Sequence, residues 1–301
     1  MKFPAFACLL LLATSALAQP REVGPYTLHP VIPGVTRIED ANHTNPAGIQ
    51  LDAAGQRTGF NNCSDMYLIV GSDRALLIDL SNFIKWDPTA VAQEIGDRQL
   101  FIAFTHHHGD HTGMLPAFLD DPRATFWLQV DEFKGRRDFP ADRTVPIATR
   151  PALDLGGGFV VNALEIPGHT DHSTAYFLRG KNLLFSGDGL GSGNGVWIFS
   201  AAGFAQYRQS LDKLIAYIRT PANEVDEARL TVYGAHYWQK REKEKLTMQY
   251  ITDMQRLIGA IKAGTAREEK VTFGPYLNTN FILGEATITW NKADAEKFKT
   301  E

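Results

Sequence analysis

Leu100-Phe101-Ile102-Ala103-Phe104-Thr105-His106-His107-His108-Gly109-Asp110-His111 is the stretch on which the reading of this chain turns. The run Leu100–Phe104 is wholly apolar, as in a strand buried on both faces of an α/β sheet. It delivers Thr105 and then the pattern H-x-H-x-D-H. Four histidines and an aspartate packed into the seven residues 105–111 would repel one another on protonation without a metal or a dedicated polar network.

Two more histidine segments occur in the same setting. Phe159–Ile166 alternates like a strand and stops at Pro167-Gly168-His169-Thr170-Asp171-His172-Ser173. Leu230–Tyr233 reads as a strand and leads into Gly234-Ala235-His236-Tyr237-Trp238. Between them lies Phe185-Ser186-Gly187-Asp188-Gly189. Each segment ends an apolar strand at a glycine-containing loop, where α/β proteins present functional groups.

Imidazole and carboxylate donors without thiolates suit Zn, Fe, Ni or Mn. A catalytic zinc takes three protein ligands and leaves one position open. His106, His108 and His169 can fill one site, Asp110, His111 and His236 a second, and Asp188 can bridge them. Two cations sharing a water lower its pKa from about 15.7 toward about 7, which yields hydroxide at neutral pH. His107 and His172 stay unassigned, with His172 a candidate donor to a ligand or a rim residue. His29 and His43 read as ordinary hydrogen-bonded histidines.

Around these segments the chain alternates strands and helices. Met66–Val70 and Ala75–Asp79 are expected strands, as is Ala124–Val130. Thr174–Leu178 and Leu183–Phe185 form an expected hairpin. Thr89–Ile95 and Phe204–Ile218 are expected helices, and Lys243–Lys262 is an amphipathic one. Thr287–Trp290 is expected to close the chain as an edge strand. Gly156-Gly157-Gly158 lacks the Lys-Ser/Thr of a phosphate-binding loop and reads as a tight turn. No repeat or Pro/Gly/Ser linker divides residues 19–301, so one domain is expected there.

Residues 1–18 read as a signal peptide, with Lys2, an apolar run from Phe6 to Ala18 and the small-x-small site Ala16-Leu17-Ala18. The expected location is periplasmic or secreted. The apolar run falls short of the roughly 20 residues that span a bilayer, and no later stretch reaches that length. The whole chain carries 30 Lys+Arg against 34 Asp+Glu, a net charge of −4. It thus lacks the basic excess that holds nucleic acid. Its two cysteines are Cys8 and Cys63. Once Cys8 leaves with the signal segment no internal disulfide is possible, and Cys63 is expected to be a buried structural thiol.

The set His106-x-His108-x-Asp110-His111, Gly168-His169-Thr170, Gly187-Asp188 and Gly234-Ala235-His236 resembles the metallo-β-lactamase superfamily. The upstream strand Tyr67-Leu68-Ile69-Val70 and the strand end Leu77-Ile78-Asp79 belong to the resemblance, which spans about Asn62 to Trp238. It implies a four-layer αβ/βα sandwich with a dinuclear zinc site at one edge, two Zn(2+) per chain. It also implies cleavage of an ester, thioester, lactone or lactam bond in a small-molecule substrate by metal-bound hydroxide. Asp110 would orient that hydroxide and take its proton. A carboxylate at Asp188 resembles glyoxalase-II-type thioesterases and lactonases, whereas β-lactamases of the superfamily carry Cys or Ser there. Tyr237 is a candidate oxyanion or leaving-group donor, and Trp197, Phe199 and Phe204 are candidates for an apolar pocket. A class B β-lactamase proper, an iron-dependent sulfur dioxygenase on the same scaffold and a binding protein with a relict site are the alternatives. The oligomeric state is left open.

Overall fold

Side chains that alternate between two apolar environments build the centre of this molecule. In the computed structural model, residues 19–40, 63–82, 89–135, 138–191, 195–236, 246–273 and 276–300 are described. Residues 1–18, read above as a signal peptide, together with His43, Tyr237, Trp238 and residues 243–245 lie outside them.

The first sheet runs in chain order: β1 Arg21–Val23, β2 Tyr26–Ile32, β3 Val35–Asp40, β4 Met66–Val70, β5 Arg74–Ile78, β6 Gln99–Ala103, β7 Ala124–Leu128 and β8 Thr144–Pro146. It is antiparallel up to β5 and parallel from β5 to β8. The second sheet comprises β9 Ala152–Asp154, β10 Val160–Glu165, β11 Thr174–Leu178, β12 Leu183–Gly187 and, beyond β13 Val196–Trp197, β14 Thr231–Gly234. Its order is β14-β12-β11-β10-β9. β12 and β14 run parallel.

Period-two alternation sorts each strand between layers. Tyr67 and Ile69, Leu76 and Ile78, Phe101 and Ala103 face inward, onto Tyr176, Leu178, Leu183 and Phe185 of the second sheet. Their neighbours Met66 and Leu68, Ala75 and Leu77, Leu100 and Ile102 face outward. That outer face is covered by residues of α1 Thr89–Ile95 and α3 Pro116–Leu119, including Val91 and Phe118. The outer face of the second sheet, with Ala175, Phe177, Leu184 and Val232, packs on α4 Ala201–Arg219 and α5 Met248–Ala263. The layers are therefore helix, sheet, sheet, helix. Full burial of each Leu, Ile or Phe in these layers is worth about 1.5–3 kcal/mol.

α4 starts where the Ser200 side chain accepts a hydrogen bond from the Gly203 N–H at 3.0 Å, an N-cap. Phe204, Tyr207, Leu211, Leu214, Ile215 and Ile218 then bury one stripe of it. α5 is capped by Thr247 and ends at Gly264 in the left-handed region.

A third sheet, not anticipated from sequence, is added at the C-terminus. β15 Arg267–Phe273, β16 Leu277–Leu283 and β17 Ala286–Trp290 join β13 in the order β13-β17-β16-β15. α6 Lys292–Thr300 follows. The expected edge strand at Thr287–Trp290 is thus an interior strand, because β13 pairs with one side of it and β16 with the other. Trp290 stacks on Phe204 with ring centroids 3.9 Å apart.

Protein hydrogen bonds tie the two main sheets together where β6 ends. Thr174 N–H donates to Thr105 O at 2.8 Å and Asp65 N–H to Ala235 O at 2.5 Å. The Tyr176 hydroxyl donates to Phe104 O at 2.7 Å. The Tyr67 hydroxyl donates to Gly234 O.

Candidate metal centre

The carboxyl ends of β5, β6, β12 and β14, together with the β10–β11 turn, converge on one edge of the sandwich. β6 hands over to His106–His108 and the single-turn helix α2 Gly109–Thr112, which carries Asp110 and His111. The turn supplies His169, the loop after β12 supplies Asp188, and the loop after β14 supplies His236. These seven residues, proposed as ligands from the sequence, come together as two groups. His106, His108 and His169 form one, and Asp110, His111, Asp188 and His236 the other, with donor atoms within 4.8 Å of one another in each. Each group takes its residues from both main sheets.

Asp188 stands between the groups. Its Oδ2 lies 3.6 Å from His111 Nε2 and 3.7 Å from His169 Nε2, and its Oδ1 lies 3.2 Å from His236 Nε2. His169 Nε2 is 3.1 Å from His108 Nδ1, and Asp110 Oδ2 is 3.5 Å from His236 Nε2. Two bonds of 2.0–2.1 Å at a tetrahedral zinc place their donor atoms about 3.4 Å apart, so this spacing fits. Within the described residues, His106 Nε2 and His111 Nε2 are buried donor or acceptor atoms with no hydrogen-bond partner. Such atoms are costly unless something binds them, and a cation shared by the group would do so.

The far side of four of the five imidazoles is held. His106 Nδ1 meets the Thr105 hydroxyl at 3.1 Å, His111 Nδ1 meets Asp79 Oδ2 at 2.9 Å, His169 Nδ1 meets Trp197 O at 2.9 Å, and His236 Nδ1 meets Cys63 O at 3.1 Å. These partners fix ring orientation and leave Nε2 aimed inward. Asp79 is the hub. It sits at φ 61°, in the left-handed region that a short polar side chain tolerates. It also accepts bonds from the Thr105 N–H and hydroxyl, both at 2.8 Å. Gly187 allows this cluster to close. It has φ +52°, and a Cβ there would lie 2.3 Å from Thr105 Oγ1.

Electrostatics differ between the groups. Burial, then the other histidines, pushes His106 well below the usual imidazole range, and burial brings His108 down to about 3. Burial lowers His169 too. Burial also opposes charge on His111 and His236. There it is outweighed by Asp79, Asp110 and Asp188 for His111, and mainly by Asp188 for His236, so both are raised. Burial works against ionised Asp188 as well, but His236 and His111 hold its carboxyl well below the ordinary value. The three-histidine group is therefore a neutral imidazole cage, and the other carries the carboxylates.

The residues left unassigned find other partners. His107 faces Glu132, which also accepts the His107 N–H at 3.0 Å. His172 Nδ1 bonds Glu165 at 2.6 Å, so it is a rim residue. His29 pairs with Glu39 at 2.7 Å. Of the pocket aromatics, Phe199 is 41% exposed beside His169 and His108, at ring distances of 5.4 and 6.1 Å. Phe204 is a core residue under Trp290 and not a pocket wall, and Trp197 contributes its carbonyl to His169. Tyr237 lies outside the described residues. Asp79 and Glu132 were not singled out as site residues from the sequence; a lone carboxylate just past a strand gives no distinctive pattern, although Asp79 stood in the Leu77-Ile78-Asp79 motif.

Residues 64–224, just over half of the chain, match the family model of the metallo-beta-lactamase superfamily. The chain belongs to that superfamily. Among curated proteins, it is 30% identical over 183 residues to a hydroxyacylglutathione hydrolase of Nitrosomonas eutropha, covering 57% of this chain and 60% of that protein. It is 25% identical over 176 residues to an atrochrysone carboxyl ACP thioesterase of Claviceps purpurea, covering 58% and 50%. The chain therefore spans less than two thirds of these superfamily relatives. Among solved structures, a metallo-beta-lactamase from Pontibacter korlensis superposes with a TM-score of 0.54 at 13% identity, over 78% of this chain and 99% of that one. The FIM-1 enzyme of Pseudomonas aeruginosa gives 0.52 at 16%, over 80% and 98%. At these identities the two structures show a likeness of fold.

Proposed function

We propose that the chain is an exported, two-zinc hydrolase of small acyl compounds, with a thioester as its first substrate class. The observation that carries this reading is the Asp188 carboxylate standing between two complete ligand groups. The thioesterase and hydroxyacylglutathione hydrolase names among its relatives favour a thioester over a lactam. His106, His108, His169 and Asp188 would hold one cation, and Asp110, His111, His236 and Asp188 the other. When bound, the cations would supply Lewis acidity and an acidified water. Asp110, with 15% side-chain exposure, would orient the attacking water and accept its proton. Phe199 offers an apolar surface to the acyl group beside His108 and His169. Export rests on Lys2, the apolar run to Ala18 and the Ala16-Leu17-Ala18 site, and an intact mass beginning at Gln19 in the exported fraction checks it.

The test is a substrate panel on zinc-loaded protein: acyl-glutathione and acyl-pantetheine thioesters, an aryl ester, a γ-lactone and a chromogenic β-lactam. Thioester hydrolysis with the highest kcat/KM is expected, alongside two zinc per chain. Turnover of the β-lactam alone would overturn the substrate class. A preparation holding one iron and consuming oxygen would overturn the hydrolase.

A further inference from the structure

The two loops that carry the three-histidine group come from different sheets, and one buried carboxylate joins them. Glu132 lies in the 3₁₀ turn Val130–Phe133 just after β7 and is 4% exposed. One of its oxygens, Oε1, accepts the backbone N–H of His107 at 3.0 Å and faces that residue's ring nitrogen. Its other oxygen, Oε2, accepts the backbone N–H of His172 at 3.1 Å. His107 sits between His106 and His108, while His172 closes the short loop that carries His169. The turn itself is pinned by Phe133, whose ring lies 5.4 Å from Phe104 and 5.2 Å from Phe139 in the core.

We infer that Glu132 is a positioning residue that sets the spacing between the His106–His108 loop and the His169 loop, and thereby the affinity of the three-histidine site. A carboxylate is suited to this, because each oxygen accepts from one loop and neither needs to donate. An amide can satisfy one loop only, since its NH2 would meet an N–H of the other. The second ligand group has its own supports, Asp79 behind His111 and the Cys63 carbonyl behind His236. The effect should therefore be confined to one of two binding steps. Removing a partner that orients metal ligands costs about 10–100-fold in affinity. The inference rests on the two-cation reading above.

The experiment is a zinc titration of metal-free protein against a chromophoric chelator, resolving both binding steps for wild type, Glu132→Gln, Glu132→Ala and His172→Ala. Glu132→Gln is expected to weaken one step by about 10-fold and Glu132→Ala by up to about 100-fold, with the other step unchanged. His172→Ala keeps its backbone N–H and should leave both steps intact. If Glu132→Ala is insoluble, the isosteric Gln variant decides alone. Unchanged steps, equal weakening of both steps, or the same loss in His172→Ala would overturn the clamp. A wild-type chain that binds no divalent cation would overturn the clamp and the function together. Two bound zinc ions without hydrolysis of any panel substrate would overturn the function alone.

Discussion

At the scale of single residues, Asp110 and Asp188 share a charge but not a position. Asp188 is flanked by three of the histidines across both groups, whereas Asp110 lies beside His111 and His236 of the second group. Asp110→Asn should lower kcat by about 10²–10⁴-fold, the usual worth of acid–base assistance, and stay low at saturating zinc. Asp188→Asn should mainly weaken metal retention, so excess zinc should restore part of its rate. Equal rescue of both variants would show that Asp110 is only a ligand. Cys63 is 2% exposed, and burial, followed by nearby Asp40, pushes its thiol well up. A thiol reagent should react with it only on unfolding; labelling of folded protein in minutes would contradict the buried assignment. The clustering of the candidate ligands was legible because histidine is a rare residue and seven of the nine fall in three short segments. What holds them was not: the carbonyls of Cys63 and Trp197 act through the backbone, which leaves no trace in side-chain identity.

At the scale of elements, buried strands announced themselves by apolar runs, and β4, β5, β6, β7, β10, β11, β12 and β14 lie within a few residues of where the sequence puts them. The strands β1 to β3, β8, β9, β13, β15 and β16 did not. β15 opens with Arg267-Glu268-Glu269-Lys270, and its exposed residues satisfy themselves by pairing with β16 rather than by burial. Whether a strand is at an edge depends on its partners, which explains the error at β17. The joint between β12 and the site gives a sharper test. Gly187→Ala would drive a methyl group into Thr105, the residue that bonds Asp79 and meets His106. Overpacking of this kind costs about 1–3 kcal/mol. A lower melting temperature together with weaker zinc binding is expected. A variant matching wild type in both would mean that Thr105 moves aside freely.

At the scale of the whole molecule, the two ligand groups start from opposite protonation states. His111 and His236 are raised above the usual imidazole value, so at pH 6.5 both are mostly protonated before a cation arrives, while His106, His108 and His169 are neutral. Cation binding must expel the protons of the first pair, so roughly one to two should be released per chain and affinity should rise with pH. Calorimetry in two buffers of different ionisation enthalpy would measure this, and identical heats at pH 6.5 would refute it. The hydrogen bonds between Thr174 and Thr105, Tyr176 and Phe104, Asp65 and Ala235, and Tyr67 and Gly234 join the sheets at this same end through protein atoms alone. For the zinc site proposed above, stripping and refilling should then be events of exchange and not of folding. A chelated sample should keep its far-ultraviolet dichroism and reload zinc as fast as the ion diffuses in, where a metal-nucleated domain would first have to find its shape.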